Sequence, residues 1–114
     1  DHPNIRVPQP FPKAEYFCDT MQFHLVGLSR EQADQFVVLM IQEGLGIQIF
    51  GIDRNARDYR QWAYLDGAEK VDLPATVKNI EFAVDLSLQP HLGHHEMDVI
   101  SDVIHDVLDY LING

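Results

Sequence analysis

Residues 21–50 read MQFHLVGLSREQADQFVVLMIQEGLGIQIF, and this stretch decides the fold. Apolar residues alternate with polar ones over residues 21–25, at the period of two that is typical of a half-buried strand. We therefore predict a strand over residues 17–26 and a second, apolar strand over residues 46–52. Because the two strands are close in sequence, we expect them to belong to one compact sheet layer.

Between these strands the pattern changes to that of a helix. Ser29 is a favourable N-cap residue, and Gln32 three residues later completes a capping box. Gly44 stands where a left-handed C-cap is needed. Apolar residues recur between these ends at the three-and-four spacing of a core-facing stripe. The stripe consists of Ala33, Phe36, Val37, Met40 and Ile41.

The C-terminal third predicts a short helix over residues 75–82, a strand over residues 83–88 and a long amphipathic helix over residues 94–112. The long helix has an apolar stripe and an acidic stripe on opposite sides, and we interpret the acidic one as a solvated face rather than a site for cations or a basic partner. The apolar stripe comprises Val99, Ile100, Val103, Ile104, Val107, Leu108 and Leu111. The acidic stripe comprises Asp98, Asp102, Asp106 and Asp109.

The length of 114 residues suits one domain. We predict a proline-rich lead-in over residues 1–16 and a single α+β domain over residues 17–114, with a small antiparallel or mixed sheet of three to four strands. We expect the helices to pack on one face of this sheet. That arrangement leaves the other face, which we expect to be apolar, for a partner.

Charge and composition disfavour several classes of partner. The formal net charge of −10 repels phosphate backbones and anionic lipid, so we expect neither nucleic acid nor a membrane as partner. The longest apolar run, residues 36–41, is too short to span a bilayer, and no signal peptide is recognisable. The lone Cys18 suits a reducing cytoplasm, and we interpret it as a half-buried small residue rather than a catalytic thiol.

The best candidate site from the residues alone is a cluster of three arginines, Arg54, Arg57 and Arg60, interleaved with Tyr59 and Trp62. Guanidinium groups bind carboxylate or phosphate in a bidentate fork, and the aromatic rings offer stacking surfaces, so this segment could hold an anionic substrate. The alternative is that the arginines form surface ion pairs with nearby aspartates while Trp62 plugs the core. The residue pattern leaves both interpretations open.

Other reactive residue types give no site. The histidines lack a third and fourth ligand at the spacing that a zinc site needs, so we predict no metal. The three lysines, Lys13, Lys70 and Lys78, do not follow apolar strands, where a Schiff-base lysine would find a desolvated pocket. We assign no catalytic residue to this chain.

Six segments carry a family resemblance. They are the predicted strand over residues 17–26, the predicted helix over residues 31–43, and residues 46–50 (GIQIF), 57–62 (RDYRQW), 73–76 (LPAT) and 83–90 (AVDLSLQP), followed by the amphipathic C-terminal helix. In this order they resemble the C-terminal small domain of the DegT/DnrJ family of PLP-dependent sugar aminotransferases, of fold type I. The resemblance covers nearly the whole chain.

The resemblance implies amino transfer to a nucleotide-linked or related sugar in a cytoplasmic homodimer. PLP would be bound mainly by a large domain that this chain does not contain, so the chain alone would be inactive. Substrate contacts would come from Arg57, Tyr59, Arg60 and Trp62. The alternative is a free-standing, non-catalytic α+β module that binds a ligand or a partner.

Overall fold

The computed structural model describes residues 2–15, 19–52 and 55–114. Its strands are β1 (Ile5–Arg6), β2 (Thr20–Leu25), β3 (Ile47–Ile49) and β4 (Ala83–Ser87). Its helices are α1 (Arg30–Gln42), α2 (Pro74–Ile80) and α3 (His94–Asn113), with 3₁₀ turns at Tyr59–Gln61 and Ala68–Lys70. The predicted α+β fold with a long C-terminal helix is confirmed.

The four strands form one open sheet in the order β1-β2-β4-β3, with every neighbouring pair antiparallel. Since β2 and β3 both run antiparallel to β4, they are parallel to each other and enclose it. The strand–helix–strand unit predicted from residues 21–50 is therefore a split β-α-β unit, into which the last strand of the chain inserts. Strand β4 is therefore an inner strand, paired on both sides, and it contributes side chains to both faces of the sheet.

The register assigns each side chain of β4 to one face. Val84 pairs with Phe23 on one side and Ile49 on the other. One residue along, Asp85 lies between Gln22 and Gln48. Because successive strand residues point to opposite faces, the first row is apolar and the second is polar.

Helices α1 and α3 cover the apolar face, as predicted. Phe36 of α1 is fully buried and meets Phe23 of β2 edge to face, with 6.5 Å between ring centroids. Packing of this kind adds to the free energy gained by burying two large rings. The buried core consists of Phe23, Leu25, Ala33, Phe36, Met40, Ile47, Ile49, Val84, Leu86, Ile104, Val107 and Leu108.

The predicted ends of α1 are confirmed. The Ser29 hydroxyl accepts a bond from the backbone N–H of Gln32, and the Gln32 side chain accepts one from the backbone N–H of Ser29. Gly44 adopts a φ of +88°, in the left-handed region that glycine tolerates best. Local sequence signals therefore place this helix correctly.

Two residues of the predicted apolar stripes are exposed. Ile41 follows Met40 by one position, which rotates it about 100° around the helix and beyond the edge of the buried face. Val99 is displaced by the same step from Ile100 on α3. Spacing alone assigned both residues to the core, but both side chains are exposed.

Several boundaries differ from the prediction. Strand β3 ends at Ile49, and although the amide of Phe50 still donates to the carbonyl of Ala83 in β4, the amide of Gly51 donates to the carbonyl of Ile80 at the end of α2. Helix α2 ends at Ile80 rather than at residue 82. The lead-in contains strand β1, which proline content alone did not predict. The strand predicted over residues 17–26 is observed from Thr20 to Leu25, and residues 16–18, including Cys18, lie outside the described residues.

The outer surface of α3 agrees with the sequence interpretation, since all four residues of the acidic stripe are exposed. Within residues 2–15, 19–52 and 55–114, no helix has both the length and the apolar character needed to cross a membrane.

Candidate functional site

The polar face of the sheet centres on Asp85, in the middle of β4. Its carboxylate accepts a bond of 2.8 Å from Arg57 Nη1. The flanking side chains donate longer bonds, 3.5 Å from Gln22 Nε2 and 3.4 Å from Gln48 Nε2. We call these four residues the Asp85 cluster. The face expected to be apolar is therefore polar along its central row.

The two members of the ion pair differ sharply in exposure. The Asp85 side chain is 3% exposed, whereas that of Arg57 is 55% exposed. The guanidinium carbon also lies 5.5 Å from the centroid of the Phe50 ring, a cation–π contact. Nε and Nη2 of Arg57 have no protein acceptor among the described residues. Asp85 thus neutralises one edge of the guanidinium and leaves two donors for a ligand.

Asn55 brings Arg57 over the sheet. Its side chain is buried, donates from Nδ2 to the carbonyl of Ile49 at 3.0 Å and accepts from the backbone N–H of Arg57 at 3.0 Å. The first bond ties the segment to the end of β3, and the second is a local turn of the kind that asparagine favours. A residue in the loop is therefore anchored to a residue in the sheet.

Arg60, three residues further, is held by a different acid. Its Nε and Nη2 donate to the Asp58 carboxylate in a fork, with distances between 2.7 and 3.1 Å. Asp58 is 1% exposed and also caps the first 3₁₀ turn by accepting from the backbone N–H of Arg60. Hydrogen bonds from the Arg60 side chain lower the pKa of the Asp58 carboxyl, against the opposing effect of burial. This pair matches the ion pairing that was the alternative to a ligand role.

The two aromatic candidates are tied to the backbone of the same segment. Trp62 Nε1 donates to the carbonyl of Ala56 at 2.7 Å, and the Tyr59 hydroxyl accepts from the backbone N–H of Leu73 at 3.0 Å. Trp62 is 38% exposed, so it does not plug the core as the alternative interpretation expected. Both rings are held in place with part of their surface open to solvent.

Two of the predicted site residues, Arg57 and Arg60, thus pair with different acids, Asp85 and Asp58. Arg57 reaches Asp85 in the centre of the sheet, whereas Arg60 pairs with Asp58 and also donates a longer bond of 3.4 Å to the carbonyl of Gly51, just after β3. Arg54 lies outside the described residues. Asp85 and Asn55 were not among the predicted site residues, although a single carboxylate within the apolar strand segment AVDL was a visible signal.

The chain's own residues do not fit the attachment of PLP. The side chains of Lys13, Lys70 and Lys78 are all exposed, and a Schiff-base lysine needs a desolvated pocket. Cys18 falls among the residues that the structure does not describe. Over the described part of the chain, no three His, Cys, Asp or Glu side chains are grouped so that they could hold a metal ion. We assign no catalytic step to these residues.

Comparison with known proteins gives no relative: no protein family, no curated protein and no solved structure matches this chain. The resemblance to sugar aminotransferases therefore stays a prediction from the sequence.

Proposed function

We propose that this chain is the C-terminal small domain of a PLP-dependent aminotransferase, similar to the DegT/DnrJ family, that acts on a nucleotide-linked or related sugar. The observation that supports it best is the half-exposed guanidinium of Arg57, which is held on the sheet while Nε and Nη2 have no acceptor in the part of the chain that the structure describes. Such a group is suited to an oxyanion such as a sugar-linked phosphate.

In this proposal the chain binds and orients the substrate. Arg57 binds the anionic group, and the partly exposed rings of Tyr59 and Trp62 pack against the sugar or the base. Arg60 supports the same segment through Asp58. PLP, bound by the large domain, supplies the electron sink for amino transfer. The large domain and a second subunit are the proposed protein partners, and the enzyme is proposed to be cytoplasmic.

Two experiments test the proposal. Incubation of this chain with PLP, a keto-sugar nucleotide and glutamate should give no amino sugar, and clear turnover would refute the assignment. An antibody raised to the chain should detect a polypeptide several-fold heavier in the source cells.

Substrate binding is tested by calorimetry with uridine diphosphate as the probe. Arg57→Ala should abolish the binding heat, whereas Arg30→Ala, which removes an arginine from α1, should leave it unchanged. Equal binding by both variants would show that Arg57 is only surface charge.

A free-standing binding module is the second candidate. The observation that favours it is that the sheet forms a hydrophobic core of its own with α1 and α3. An immunoblot band at the size of this chain, together with probe binding that depends on Arg57, would favour this function over the first.

A further inference from the structure

We infer that Asp85 is a positioning residue, which holds the guanidinium of Arg57 so that the Nε and Nη2 edge faces a bound oxyanion. This inference rests on the proposed function only in naming Arg57 as the group that binds the anion. It assigns a role to a buried carboxylate that the proposed chemistry does not otherwise use.

The position of Asp85 makes it a rigid anchor. It lies in the central strand, paired on both sides with residues of β2 and β3, so its backbone cannot shift without disturbing three strands. Its bond to Arg57 is the short one, while both glutamine bonds are near the upper limit of hydrogen-bond length. The carboxylate therefore depends mainly on Arg57, and Arg57 is held mainly by the carboxylate.

The geometry of the guanidinium group determines which of its edges is left to bind an anion. Asp85 occupies Nη1, and Phe50 lies against the guanidinium group. The Nε and Nη2 donors together form the edge that binds a carboxylate or phosphate side-on. Arg60 shows this mode within the same segment, because Asp58 binds the same two nitrogens. The free edge of Arg57 is therefore suited to an oxyanion with two oxygens in one plane.

When Asp85 loses its charge, the proposal and simple electrostatics predict opposite changes in the affinity for an anion. Asp85→Asn removes a negative charge beside the binding group, so simple electrostatics predicts tighter binding of an anion. If Asp85 acts by positioning, the same change loosens the guanidinium and weakens binding. The two explanations therefore give opposite results in one variant.

The experiment uses the full chain and inorganic pyrophosphate as the probe. For Asp85→Asn we expect the dissociation constant to rise by about tenfold, because the neutral amide oxygen is a weaker acceptor for Arg57 than the carboxylate. We also expect ¹⁵N relaxation of Arg57 Nε, measured without ligand, to report a clear fall in its order parameter. The control is Asp102→Asn, which removes the same charge from the exposed face of α3 and should change neither quantity. An unchanged order parameter, or binding that is unchanged or tighter, would overturn the inference.

The two proposals can fail separately. If Arg57→Ala leaves pyrophosphate binding unchanged, the proposed anion site is wrong, and the relaxation of Arg57 Nε in Asp85→Asn still decides whether Asp85 positions the guanidinium. If Asp85→Asn does not fold, Asp85→Glu tests the same contact, since it keeps the charge and moves the carboxylate by one methylene group. A fall in the order parameter of Arg57 Nε together with an approximately tenfold loss of binding would then support positioning, and binding within about twofold of the parent's would overturn it.

Discussion

Replacing Arg60 with alanine should destabilise the domain, because the buried carboxylate of Asp58 then loses its ion-pair partner. In the native protein the Asp58 carboxylate is 1% exposed and accepts a fork from Arg60. Arg60→Ala removes these donors and keeps the carboxylate buried. An ionised group without its partner in a buried position is costly, so the loss should exceed that of an ordinary surface pair.

The size of the effect follows from the contacts. The fork amounts to about two charged hydrogen bonds, each worth roughly 1.5–3 kcal/mol. The Arg60 side chain is 42% exposed, so water competes for its donors and the net loss is reduced. We expect the free energy of unfolding to fall by about 2 kcal/mol at pH 7, which for a domain of this size lowers Tm by about 8 °C.

The effect should depend on pH in a defined direction. Since Arg60 lowers the pKa of Asp58 below its ordinary value of 3.8, the pair stabilises the fold above that value, and this stabilisation is lost as the pH falls through the folded-state pKa. In Arg60→Ala, burial remains without the fork and the pKa of Asp58 should rise. The difference between the two proteins should therefore be largest at neutral pH and narrow below about pH 4.

Urea denaturation of both proteins between pH 3 and pH 7, from the region where carboxyl groups become protonated up to neutral pH, measures the difference between their free energies of unfolding. Arg30→Ala is the matched control, because Arg30 pairs with Asp34 at the surface of α1 and its loss should cost less than about 1 kcal/mol. A deficit for Arg60→Ala that equals the control, or that does not change with pH, would refute the reasoning.

Three further substitutions test the fold. Phe36→Ala should lower the free energy of unfolding by about 3–5 kcal/mol in urea, while Val38→Ala on the exposed side of the same helix should cost less than about 1 kcal/mol; similar values would contradict the assigned helix face. Gly51→Ala should cost more stability than Gly44→Ala: a Cβ at residue 51 would lie 2.7 Å from a backbone oxygen, whereas one at residue 44 meets nothing within 4 Å and adds only the strain of a φ of +88°, about 1–2 kcal/mol. Thermal melts in the reverse order would be inconsistent with the close approach. Ser29→Ala should cost about 1 kcal/mol by loss of the capping box, and a helix signal and Tm equal to the parent's would rule out that role.

Much of the fold was predictable because its signals are local. The alternation in β2, the caps of α1 and the apolar stripe of α3 depend on residues within a few positions of one another. Boundaries were less predictable, since the amide of Gly51, just after β3, bonds to the carbonyl of Ile80, which is far away in sequence. For the same reason the short strand β1 was missed, because it exists only through its pairing with β2.

The candidate site was predictable in part. The arginine-rich segment stood out by composition, but nothing near Arg57 in sequence pointed to a residue in β4 as its partner. Asp85 is 28 residues away and looked like one polar residue within an apolar strand. Arg60 was simpler, because its partner Asp58 is only two residues away.

By itself, the sequence determined the elements: periodicity, capping residues and glycine positions specify strands and helices through interactions within a few residues. Only the tertiary structure decided that β4 inserts between β2 and β3, because strand order depends on long-range pairing that no local pattern records. That insertion places Asp85 between Gln22 and Gln48 and beneath Arg57, so the chemistry of the polar face is a product of the topology.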